Sequence, residues 1–423
     1  MRGLTKDDVE AAVASVLDRR LLADSVRPIA VALSGGGDSV ALLHAATAWA
    51  QAHGRPLVAL TVDHQLQPQS LAWTEACGAL AARLGVGFQP LAWDGPKPTT
   101  GLPAAARAAR HRRLADAARG LGAQVLLIGH TADDVLEARA MRADGATTPE
   151  PREWSPSPAW PEGRGLFLLR PLLGLRRAAL RDWLAARGET WVEDPANRDP
   201  RFARARARLA LGHAALIDDG EVPPGDDAPL ALAAICRVDP AGSLAFPRAA
   251  FRAAPAADAG RLLGLACVCA GGGARPPASA ARDRLAERLR GAEPVVATLA
   301  GARVETLGDQ VRIVREAGEA RRGGLQPLAL APGRPAVWDG RFEITATQDG
   351  LQARALRGMA RRLPDDQQRA LAGWPSAVRG ALPAIVDEAG GVSCPLLGVA
   401  PARADCLVEA RLLAAAGMVS RET

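Results

Sequence analysis

The sequence has almost no lysine and no long run of apolar residues. Lysine occurs only at Lys6 and Lys97, so the formal net charge of +6 is carried almost entirely by arginine. This basic balance is compatible with a polyanionic partner. Because no apolar run approaches the roughly 20 residues that cross a bilayer, no membrane segment is expected. Residues 1–9 are polar and charged and lack the apolar centre of a secretory signal, so we expect a cytoplasmic protein.

The six cysteines lack the C-x-x-C spacing that is typical of metal and redox sites. Cys267 and Cys269 stand in an apolar stretch with a helical pattern. We therefore interpret the cysteines as buried thiols in preference to metal ligands. Disulfide bonds are not expected in a reducing compartment either.

The composition indicates a folded protein with more than one domain. The chain has 423 residues, of which 48% are apolar and 23% charged, so it can form two or three cores and is not disordered. Segments 217–228 and 316–332 are interpreted as linkers. They predict an α/β domain at 1–216, a mostly helical middle domain at 217–325, and a small mixed α+β domain at 326–423.

Short apolar strands alternate with helices in the first predicted domain. The predicted strands are 28–33, 57–62, 88–93 and 125–129, and the helices between them are 38–52, 69–84 and 102–121. Such alternation predicts a parallel, doubly wound α/β sheet, whose ligands bind beyond the carboxyl ends of the strands. Residues 143–165 are rich in Pro, Gly and Ser, and we interpret them as a flexible insertion or lid.

The most specific motif follows the first predicted strand and opens the next helix. It consists of Ser34, Gly35, Gly36, Gly37, Asp38 and Ser39. Glycines allow backbone N–H groups to converge on an anion, and the helix amino terminus adds positive potential. The serine hydroxyls are further donors. The Asp38 carboxylate would repel a bare phosphate, so its position indicates a Mg²⁺ ion between it and the phosphates.

Two better-known nucleotide motifs are excluded. The Walker A loop needs the spacing G-x-x-x-x-G-K-[ST] and its lysine, which are absent here. The dinucleotide fingerprint G-x-G-x-x-G is not matched either. The remaining alternative to a phosphate loop is an ordinary Gly-rich turn between a strand and a helix.

Polar residues also close the second predicted strand, as Val62, Asp63 and His64. At the carboxyl end of a strand they are placed to line a ligand pocket. The structural alternative is a polar turn at the strand end.

Two arginines lie on one face of the helix at 102–121. Arg107 and Arg110 are separated by one helical turn and can grip phosphates bidentately. The alternative is a solvated arginine face on an Ala-rich helix.

Acidic residues follow the fourth predicted strand. His130 comes directly after the strand, and Asp134 and Glu137 share one face of the following helix. The carboxylates can bind Mg²⁺ or a substrate ammonium group. Acidic side chains at a helix start are also common caps, which is the structural alternative.

The last motif is an arginine-rich segment at 194–208. After Asp194, Asn197 and Asp199 come the arginines Arg204, Arg206 and Arg208, with no acidic residue among them. Such a segment is suited to contacts with nucleic acid or phosphate, although it would also suit an exposed charged strand or helix.

These motifs together resemble the PP-loop ATP pyrophosphatases, and among them the lysidine synthetases. Residues 34–39 are similar to the signature SGGxDS. Residues 62–70 are similar to V-D-H-x-L-R-x-x-S with Gln67 for the arginine, and 129–137 to H-H-x-D-D-Q-x-E, from which Thr131 and Val135 depart. Residues 106–111 resemble A-R-x-x-R-Y with histidine in place of the tyrosine, and 170–173 match R-P-L-L. Residues 194–208 resemble D-x-S-N-x-D…F/Y-x-R-N-x-I-R, the segment that separates lysidine synthetases from other PP-loop enzymes, with Ala196 for the serine and Ala205 for the asparagine.

The resemblance implies a ligase that consumes ATP with Mg²⁺, releases AMP and pyrophosphate, and joins L-lysine to the wobble cytidine of tRNA(Ile) with a CAU anticodon. It implies catalytic roles for Asp38, Arg107, Asp134, Glu137 and Arg204, with Asp38 and Asp134 as metal ligands. It also implies nucleotide binding by residues 34–39, Val62, Asp63, His64, Arg107, Arg110 and His130, of which Val62, Asp63 and His64 line the adenosine pocket. The middle and last domains would bind tRNA.

Three alternatives remain open at this point. A tRNA 2-thiolase of the same superfamily would often carry C-x-x-C pairs, which this chain lacks. A catalytically inactive RNA-binding protein would not need to retain Asp38, Arg107, Asp134 and Glu137. A small-molecule amide synthetase would not need the insertion, the arginine-rich segment and the later domains.

Overall fold

The computed structural model of the chain describes residues 6–146, 149–193, 203–211 and 229–423. The chain forms two compact units, one of residues 1–228 together with 419–423, and one of residues 229–418. The predicted α/β domain 1–216 lies in the first unit. The predicted boundary near 325 falls inside the second unit, so the two later predicted domains are not separated as compact units.

The first unit contains the predicted parallel sheet. Its strands are β1 (Ile29–Ala32), β2 (Leu57–Asp63), β3 (Gly87–Ala92), β4 (Val125–Leu127), β5 (Trp154–Pro156) and β6 (Phe167–Leu169). They lie in the order β3-β2-β1-β4-β6-β5, and all neighbouring strands are parallel except β5, which is antiparallel to β6. The predicted doubly wound α/β fold is confirmed.

Helices cover this sheet. They are α1 (Lys6–Arg20), α2 (Gly37–Ala52), α3 (Ser70–Arg83), α4 (Leu102–Gly120), α5 (Ala132–Ala143), α6 (Arg177–Ala185) and α7 (Ala203–Leu211). The central strands are buried and apolar, as strands covered on both faces require. On one face, Leu114 and Ala118 of α4 pack against Leu60 of β2 and Leu126 of β4.

The order of the strands reverses between β1 and β4. From β1 the chain runs outward through β2 and β3, and it then returns to the other side of β1 as β4. A crevice opens at such a reversal, outside the carboxyl ends of the two strands. The Ser34–Ser39 motif and the acidic motif that starts at His130 follow these two strands, so the fold brings them together.

The interpretation of residues 143–165 as a flexible insertion or lid is wrong in part. Residues 154–156 form the edge strand β5, which pairs with β6. The Trp154 ring stacks on Phe167 at a centroid distance of 4.9 Å, and its Nε1 donates to the carbonyl of Val419 at 2.8 Å. This aromatic burial fixes the segment to the sheet despite its Pro-rich composition.

Residues 419–423, which we call the closing segment, belong to the first unit. The carboxylate of Glu422 receives two hydrogen bonds from Arg55, at 3.2 and 3.0 Å, and one from the backbone N–H of Leu22 at 3.0 Å. The side chains of Arg55 and Glu422 are each only 1% exposed. The segment is therefore part of the core of this unit.

The second unit combines three sheets with six helices in the part of it that the structure describes. Its helices are α8 (Arg248–Ala253), α9 (Ala256–Gly271), α10 (Ser279–Arg290), α11 (Asp365–Ala372), α12 (Ser376–Arg379) and α13 (Val408–Ala415). One sheet, in the order β7-β8-β11-β10-β9, contains β7 (Arg237–Val238), β8 (Leu244–Pro247), β9 (Val296–Leu299), β10 (Ala302–Leu307) and β11 (Gln310–Arg315). The last three strands confirm the predicted β-hairpin region at 295–315.

The other two sheets of this unit are antiparallel. One has the order β12-β15-β16-β17, with β12 (Leu328–Leu330), β15 (Leu351–Ala355), β16 (Pro383–Val386) and β17 (Val392–Ser393). The other has the order β13-β14-β18, with β13 (Ala336–Trp338), β14 (Phe342–Ala346) and β18 (Ala402–Cys406). Short 3₁₀ helices occur at Ala231–Ile235, Ala317–Arg322 and Ala360–Arg362. The mixed α+β composition predicted for the end of the chain is confirmed.

Four of the six cysteines are buried, as predicted, and all six are free thiols. Cys267 and Cys269 pack in the core that α9 forms with the β7–β11 sheet. Burial raises the pKa of Cys269 to about 11, so this thiol is protonated at neutral pH.

Within the described residues, no helix is long and apolar enough to cross a membrane.

Candidate active site

The Ser34–Ser39 motif forms the turn between β1 and α2. The backbone N–H of Ser34 donates to Oγ of Ser39 at 3.1 Å, and that hydroxyl donates to the carbonyl of Gly36 at 2.8 Å. Gly35 has φ of +80°, a conformation that a side chain would strain. The two serines therefore hold the loop in shape at the start of α2, a helix end that is suited to bind an anion.

A second segment lies directly on this loop. The backbone N–H of Val192 donates to the carbonyl of Gly35 at 2.9 Å. A Cβ atom at Gly37 would lie 3.5 Å from the ring of Trp191, and one at Gly35 would lie 3.2 Å from Cγ2 of Val192. Gly35 is thus favoured by the close approach of Val192 as well as by the turn, whereas Gly37 lies in ordinary contact with Trp191. Trp191 and Val192 were not predicted from the sequence to belong to the site.

A cavity of about 330 Å³ opens beside the loop. The Ser34–Ser39 motif, which we call the phosphate loop, contributes Ser34 and Gly36. The end of β2 contributes Val62, Asp63 and His64, and α4 contributes Arg110. Further lining residues are Ala32, Leu33, Leu60, Thr61, Leu66, Gln67, Ser70, Trp73, Thr74, Leu114 and Val192. Three of the predicted motifs therefore meet in one cavity with an apolar floor, which suits a nucleotide base and its sugar.

His64 has an unused hydrogen-bonding atom at this cavity. Its Nδ1 is buried and has no hydrogen-bond partner among the described residues. Burial lowers the pKa of His64, and the positive charge of Arg110 acts in the same direction. The imidazole is therefore neutral near pH 7, and its free nitrogen can bond to a ligand.

Arg107 and Arg110 occupy different environments on α4. Arg110 is half-buried and lines the cavity, whereas Arg107 is exposed. His111, which stands in the place of the family's tyrosine, follows Arg110 on the same helix. Burial lowers the pKa of His111 to about 3, and the charges of Arg107, Arg110 and Arg170 contribute. His111 is therefore neutral, and the positive charge on this side of the site comes from the arginines.

His130 is held by an arginine of the R-P-L-L motif. Nε of Arg170 donates to Nδ1 of His130 at 2.9 Å, and Nη1 of the same guanidinium donates to the carbonyl of Arg152 at 2.6 Å. Arg170 is buried. It therefore fixes the His130 ring at the end of β4, with Nδ1 as the acceptor.

Asp134 serves as a helix cap, which was the structural alternative for this residue. Its Oδ2 accepts hydrogen bonds from the backbone N–H of Thr131 at 2.9 Å and from the Thr131 hydroxyl at 3.1 Å. The same oxygen lies 3.4 Å from Nη2 of Arg177. The cap thus holds the carboxylate in a fixed position at the start of α5, where it also takes part in a larger cluster.

Three predicted carboxylates converge on the guanidinium of Arg177, and we call this group the acidic cluster. Besides the contact with Asp134, Nε of Arg177 donates to Oδ2 of Asp38 at 3.0 Å, and Nη1 donates to Oε1 of Glu137 at 3.1 Å. The Glu137 side chain is 2% exposed and that of Arg177 is 16% exposed. The structure therefore brings the phosphate loop and the acidic motif to a single point.

The charges in the acidic cluster act on one another. Burial raises the pKa of the Asp38 carboxyl, Asp134 adds to the rise, and Arg177 opposes it. Burial acts to lower the pKa of Arg177, but the charges of Asp38, Asp134 and Glu137 outweigh it and raise that pKa above its usual value. The guanidinium at the centre of the cluster therefore favours the ionised form of Asp38.

Glu137 has a second positive neighbour and one free oxygen. Nε of Arg208, on α7, donates to Oε1 of Glu137 at 2.8 Å. Oε2 of the same carboxylate is buried without a hydrogen-bond partner among the described residues. A buried carboxylate oxygen is normally satisfied, so this atom marks a place for a donor that the described residues do not supply.

The structure describes the arginine-rich segment only in part. Residues 194–202 lie outside the described residues. Arg204 lies in α7, but its side chain is also outside them. Its predicted catalytic role therefore stays a prediction. Arg208, from the same segment, reaches the acidic cluster.

Arg177 is the main site residue that sequence reasoning missed, because the R-P-L-L motif ends four residues before it. One signal was present. Arg176 and Arg177 stand at the start of a helix, where the dipole disfavours positive charge, so two arginines there indicate specific acidic partners. Arg176 indeed lies 3.3 Å from Asp133, and the backbone N–H of Arg177 donates to the same carboxylate at 2.7 Å.

Comparison with known proteins confirms the resemblance that the motifs suggested. Residues 7–215 match the family model of the PP-loop domain. The chain is 48% identical over 419 residues to a tRNA(Ile)-lysidine synthase of Caulobacter vibrioides, an alignment that covers 97% of this chain and 98% of that protein. It is 36% identical over 352 residues to the enzyme of the same name from Rhizobium meliloti, covering 78% of this chain and 76% of that protein. The chain therefore belongs to the tRNA(Ile)-lysidine synthase family of PP-loop proteins.

Proposed function

We propose that the chain joins L-lysine to C2 of the wobble cytidine of tRNA(Ile) with a CAU anticodon, and that it consumes ATP and releases AMP and pyrophosphate. The observation that carries this proposal is the acidic cluster of Asp38, Asp134 and Glu137, which adjoins the phosphate loop at the strand reversal. The name of a relative that matches almost the whole chain agrees with it. The protein would then be a carbon–nitrogen ligase of the cytoplasm.

ATP would bind in the cavity beside the phosphate loop. The apolar floor of the cavity accepts the adenosine, next to Val62, Asp63 and His64, and the free Nδ1 of His64 is available to it. The backbone N–H groups at the start of α2 hold the phosphates. Arg110 faces the same cavity, and with Arg107 it neutralises charge that develops on the phosphates in the transition state.

Asp38 and Asp134 fit a magnesium ion that arrives with ATP. They share one cationic partner, so their carboxylates lie within reach of a single ion. Among the described residues, no group of three or more acidic, histidine or cysteine side chains is arranged to hold a metal by itself. Mg²⁺ in nucleotide sites is commonly held by one or two carboxylates together with substrate phosphates. When bound, it would stabilise negative charge on those phosphates.

The proposed reaction has two steps. The C2 oxygen of the cytidine attacks the α-phosphorus of ATP, and pyrophosphate leaves. The side-chain amine of lysine, after losing a proton, attacks C2 and forms the C–N bond while the C2–O bond breaks and AMP leaves. Adenylation is needed because a carbonyl oxygen is a poor leaving group and AMP is a good one. No covalent protein nucleophile takes part in this chemistry.

Glu137, with Asp134, would bind an ammonium group of the lysine substrate. A buried ammonium needs an opposite charge, because its desolvation alone costs several kcal/mol. Glu137 is almost fully buried, and its Oε2 is free to accept a hydrogen bond. The acidic cluster therefore offers a lysine ammonium both the charge and the acceptor that it needs.

Incorporation of labelled lysine tests the proposal. Purified protein, ATP, Mg²⁺ and radiolabelled lysine are incubated with tRNA(Ile) that carries a CAU anticodon, and with a matched tRNA whose wobble base is uridine. We expect label only in the first tRNA. Sulfur incorporation in place of lysine would favour a 2-thiolase, and tRNA binding with neither product would favour an inactive RNA-binding homologue.

A further inference from the structure

The acidic cluster already contains a cation, the guanidinium of Arg177. Each of its three nitrogens contacts a different carboxylate: Nε lies 3.0 Å from Asp38, Nη1 lies 3.1 Å from Glu137, and Nη2 lies 3.4 Å from Asp134. The carboxylates come from the starts of α2 and α5, and the arginine comes from the start of α6. This arrangement is a cation-binding site that is filled by a residue of the chain itself.

The same carboxylates are those to which the proposed function assigns Mg²⁺ and the lysine ammonium. The guanidinium uses one oxygen of each of them. Mg²⁺ at Asp38 and Asp134, or an ammonium group beside Oε2 of Glu137, would bring a second positive charge next to the guanidinium, and the two cations would repel each other. We propose that Arg177 is a placeholder cation, which holds the cluster together before substrates bind and is displaced when a substrate cation enters; this inference rests on the proposed function.

A placeholder is needed because the three carboxylates would otherwise repel one another. Their side chains are between 2% and 22% exposed, so little water screens the charges. With the guanidinium between them, this repulsion is reduced and the carboxylates lie close together. The site is then preorganised for an incoming cation.

The position of Arg177 also allows it to leave. Its backbone N–H is bonded to Asp133 and not to the cluster, so the guanidinium can swing away while α6 stays fixed. The helix dipole disfavours a positive charge at the start of α6 and so reduces the cost of departure. Glu137 would keep its contact with Arg208 at 2.8 Å and would gain a partner for its free Oε2.

A placeholder has a thermodynamic consequence that a purely structural arginine lacks. The first substrate cation to bind must displace Arg177, whereas the second finds the guanidinium already gone. Lysine and Mg²⁺ should therefore each increase the affinity for the other, by the same factor for both. Without the arginine this mutual increase should disappear, because two cations at one site otherwise repel each other.

Calorimetric titration of Arg177→Met tests the inference, with Arg176→Met as the matched control. Arg176 is the neighbouring arginine and contacts Asp133 outside the acidic cluster. Lysine is titrated with and without Mg²⁺, and Mg²⁺ with and without lysine, so that the two cations are distinguished. In Arg177→Met we expect each cation alone to bind more tightly, within the roughly 5- to 150-fold range of typical coupling, and the mutual increase to vanish. Arg176→Met should behave like the wild type.

Equal or weaker binding of both cations to Arg177→Met would overturn the inference. If that variant does not fold, Arg177→Gln is compared in the same way, and thermal unfolding shows whether added lysine or Mg²⁺ raises its midpoint more than that of the wild type. If the wild type joins lysine to tRNA but Arg177→Met binds neither cation more tightly, the placeholder role of Arg177 is wrong and the proposed function still stands. A wild type that joins no lysine would remove the proposed function itself.

Discussion

Asp38 belongs to two parts of the site at once. It lies in the first turn of α2, within the phosphate loop, and its Oδ2 is bonded to the guanidinium at the centre of the acidic cluster. Burial and the nearby charge of Asp134 raise its pKa. A cation beside Asp38 opposes this rise, and the position of the carboxylate between the loop and the cluster makes Asp38 the natural link between phosphates and metal.

Replacing Asp38 should separate catalysis from tRNA binding. We expect Asp38→Ala to abolish adenylation, because the link between metal and phosphates is lost, and to leave tRNA affinity within a few-fold of wild type. Pyrophosphate release and filter binding of tRNA measure the two properties. Asp24→Ala, at an exposed position of the same unit, is the control and should retain both. Undiminished pyrophosphate release by Asp38→Ala would refute the metal role.

The charge of Glu137 should affect the binding of lysine far more than the binding of ATP. Glu137→Gln keeps the shape of the side chain and removes its charge. We expect the KM for lysine to rise about 10- to 100-fold, since a hydrogen bond to a charged group contributes about 1.5–3 kcal/mol. The KM for ATP should change little. Steady-state kinetics with each substrate varied in turn measures both values.

Glu75→Gln, at an exposed position on α3, is the control for this substitution and should leave both KM values unchanged. If the KM for ATP rises in Glu137→Gln and that for lysine does not, Glu137 belongs to the metal site.

Sequence reasoning found the carboxylates of the site but not the arginine between them. The motifs at the strand ends contain Asp38, Asp134 and Glu137, and such motifs are recognised from a few neighbouring residues of the sequence. Arg177 is 139 residues from Asp38, and its contacts depend on how α6 packs beside α2 and α5. No local pattern encodes that packing. The unfavourable placement of two arginines at a helix start was the one available hint.

Secondary-structure elements were predictable where they are long or apolar. The strands at 29–32, 57–63, 87–92 and 125–127 follow from short apolar runs that are bounded by turns. The edge strand β5 could not be predicted in this way, since it has three residues and ends in proline. It exists because Trp154 stacks on Phe167, and this tertiary contact outweighs local propensity.

The closing segment is an element that stabilises the first unit through one ion pair. Arg55 and Glu422 are buried, and Arg55 also donates to the carbonyls of Leu22 and Arg27. We expect Glu422→Gln to destabilise this unit by roughly 3–5 kcal/mol, since breaking a buried pair leaves one charge without its partner. The midpoint of thermal unfolding measures the loss.

The double variant Arg55→Met with Glu422→Leu tests the physical reason for that loss. It removes both charges together and should destabilise the unit less than Glu422→Gln does. If Glu422→Gln is as stable as the wild type, the ion pair of the closing segment does not contribute to the stability of the unit.

At the scale of the whole molecule, the chain is a nucleotide-binding unit joined to a second unit with its own cores. Residues 229–418 bury separate apolar clusters, one around α9 and the β7–β11 sheet and others around the two further sheets. Composition predicted extra domains beyond 216, but their antiparallel topology depends on long-range pairing that periodicity does not reveal. Binding of tRNA by this unit stays a prediction.

The second unit should supply much of the affinity for tRNA, because a tRNA is far larger than the anticodon loop that reacts. A fragment of residues 1–228 with residues 419–423 rejoined through a flexible Gly-Ser linker keeps the Arg55–Glu422 pair. It should fold and bind tRNA at least 10-fold more weakly than the full chain, with a shallower dependence on salt because fewer phosphates are contacted. A fragment that binds as tightly as the full chain would contradict this division of roles.

In the proposed reaction, cleavage of ATP between its α- and β-phosphates drives the joining of lysine to tRNA. This is tested most directly by following labelled lysine and α-labelled ATP in one reaction with tRNA(Ile). We expect one AMP for each lysine joined, pyrophosphate as the other product, and no AMP without tRNA. ADP and inorganic phosphate as products, or AMP formed without lysine joined to the tRNA, would contradict it.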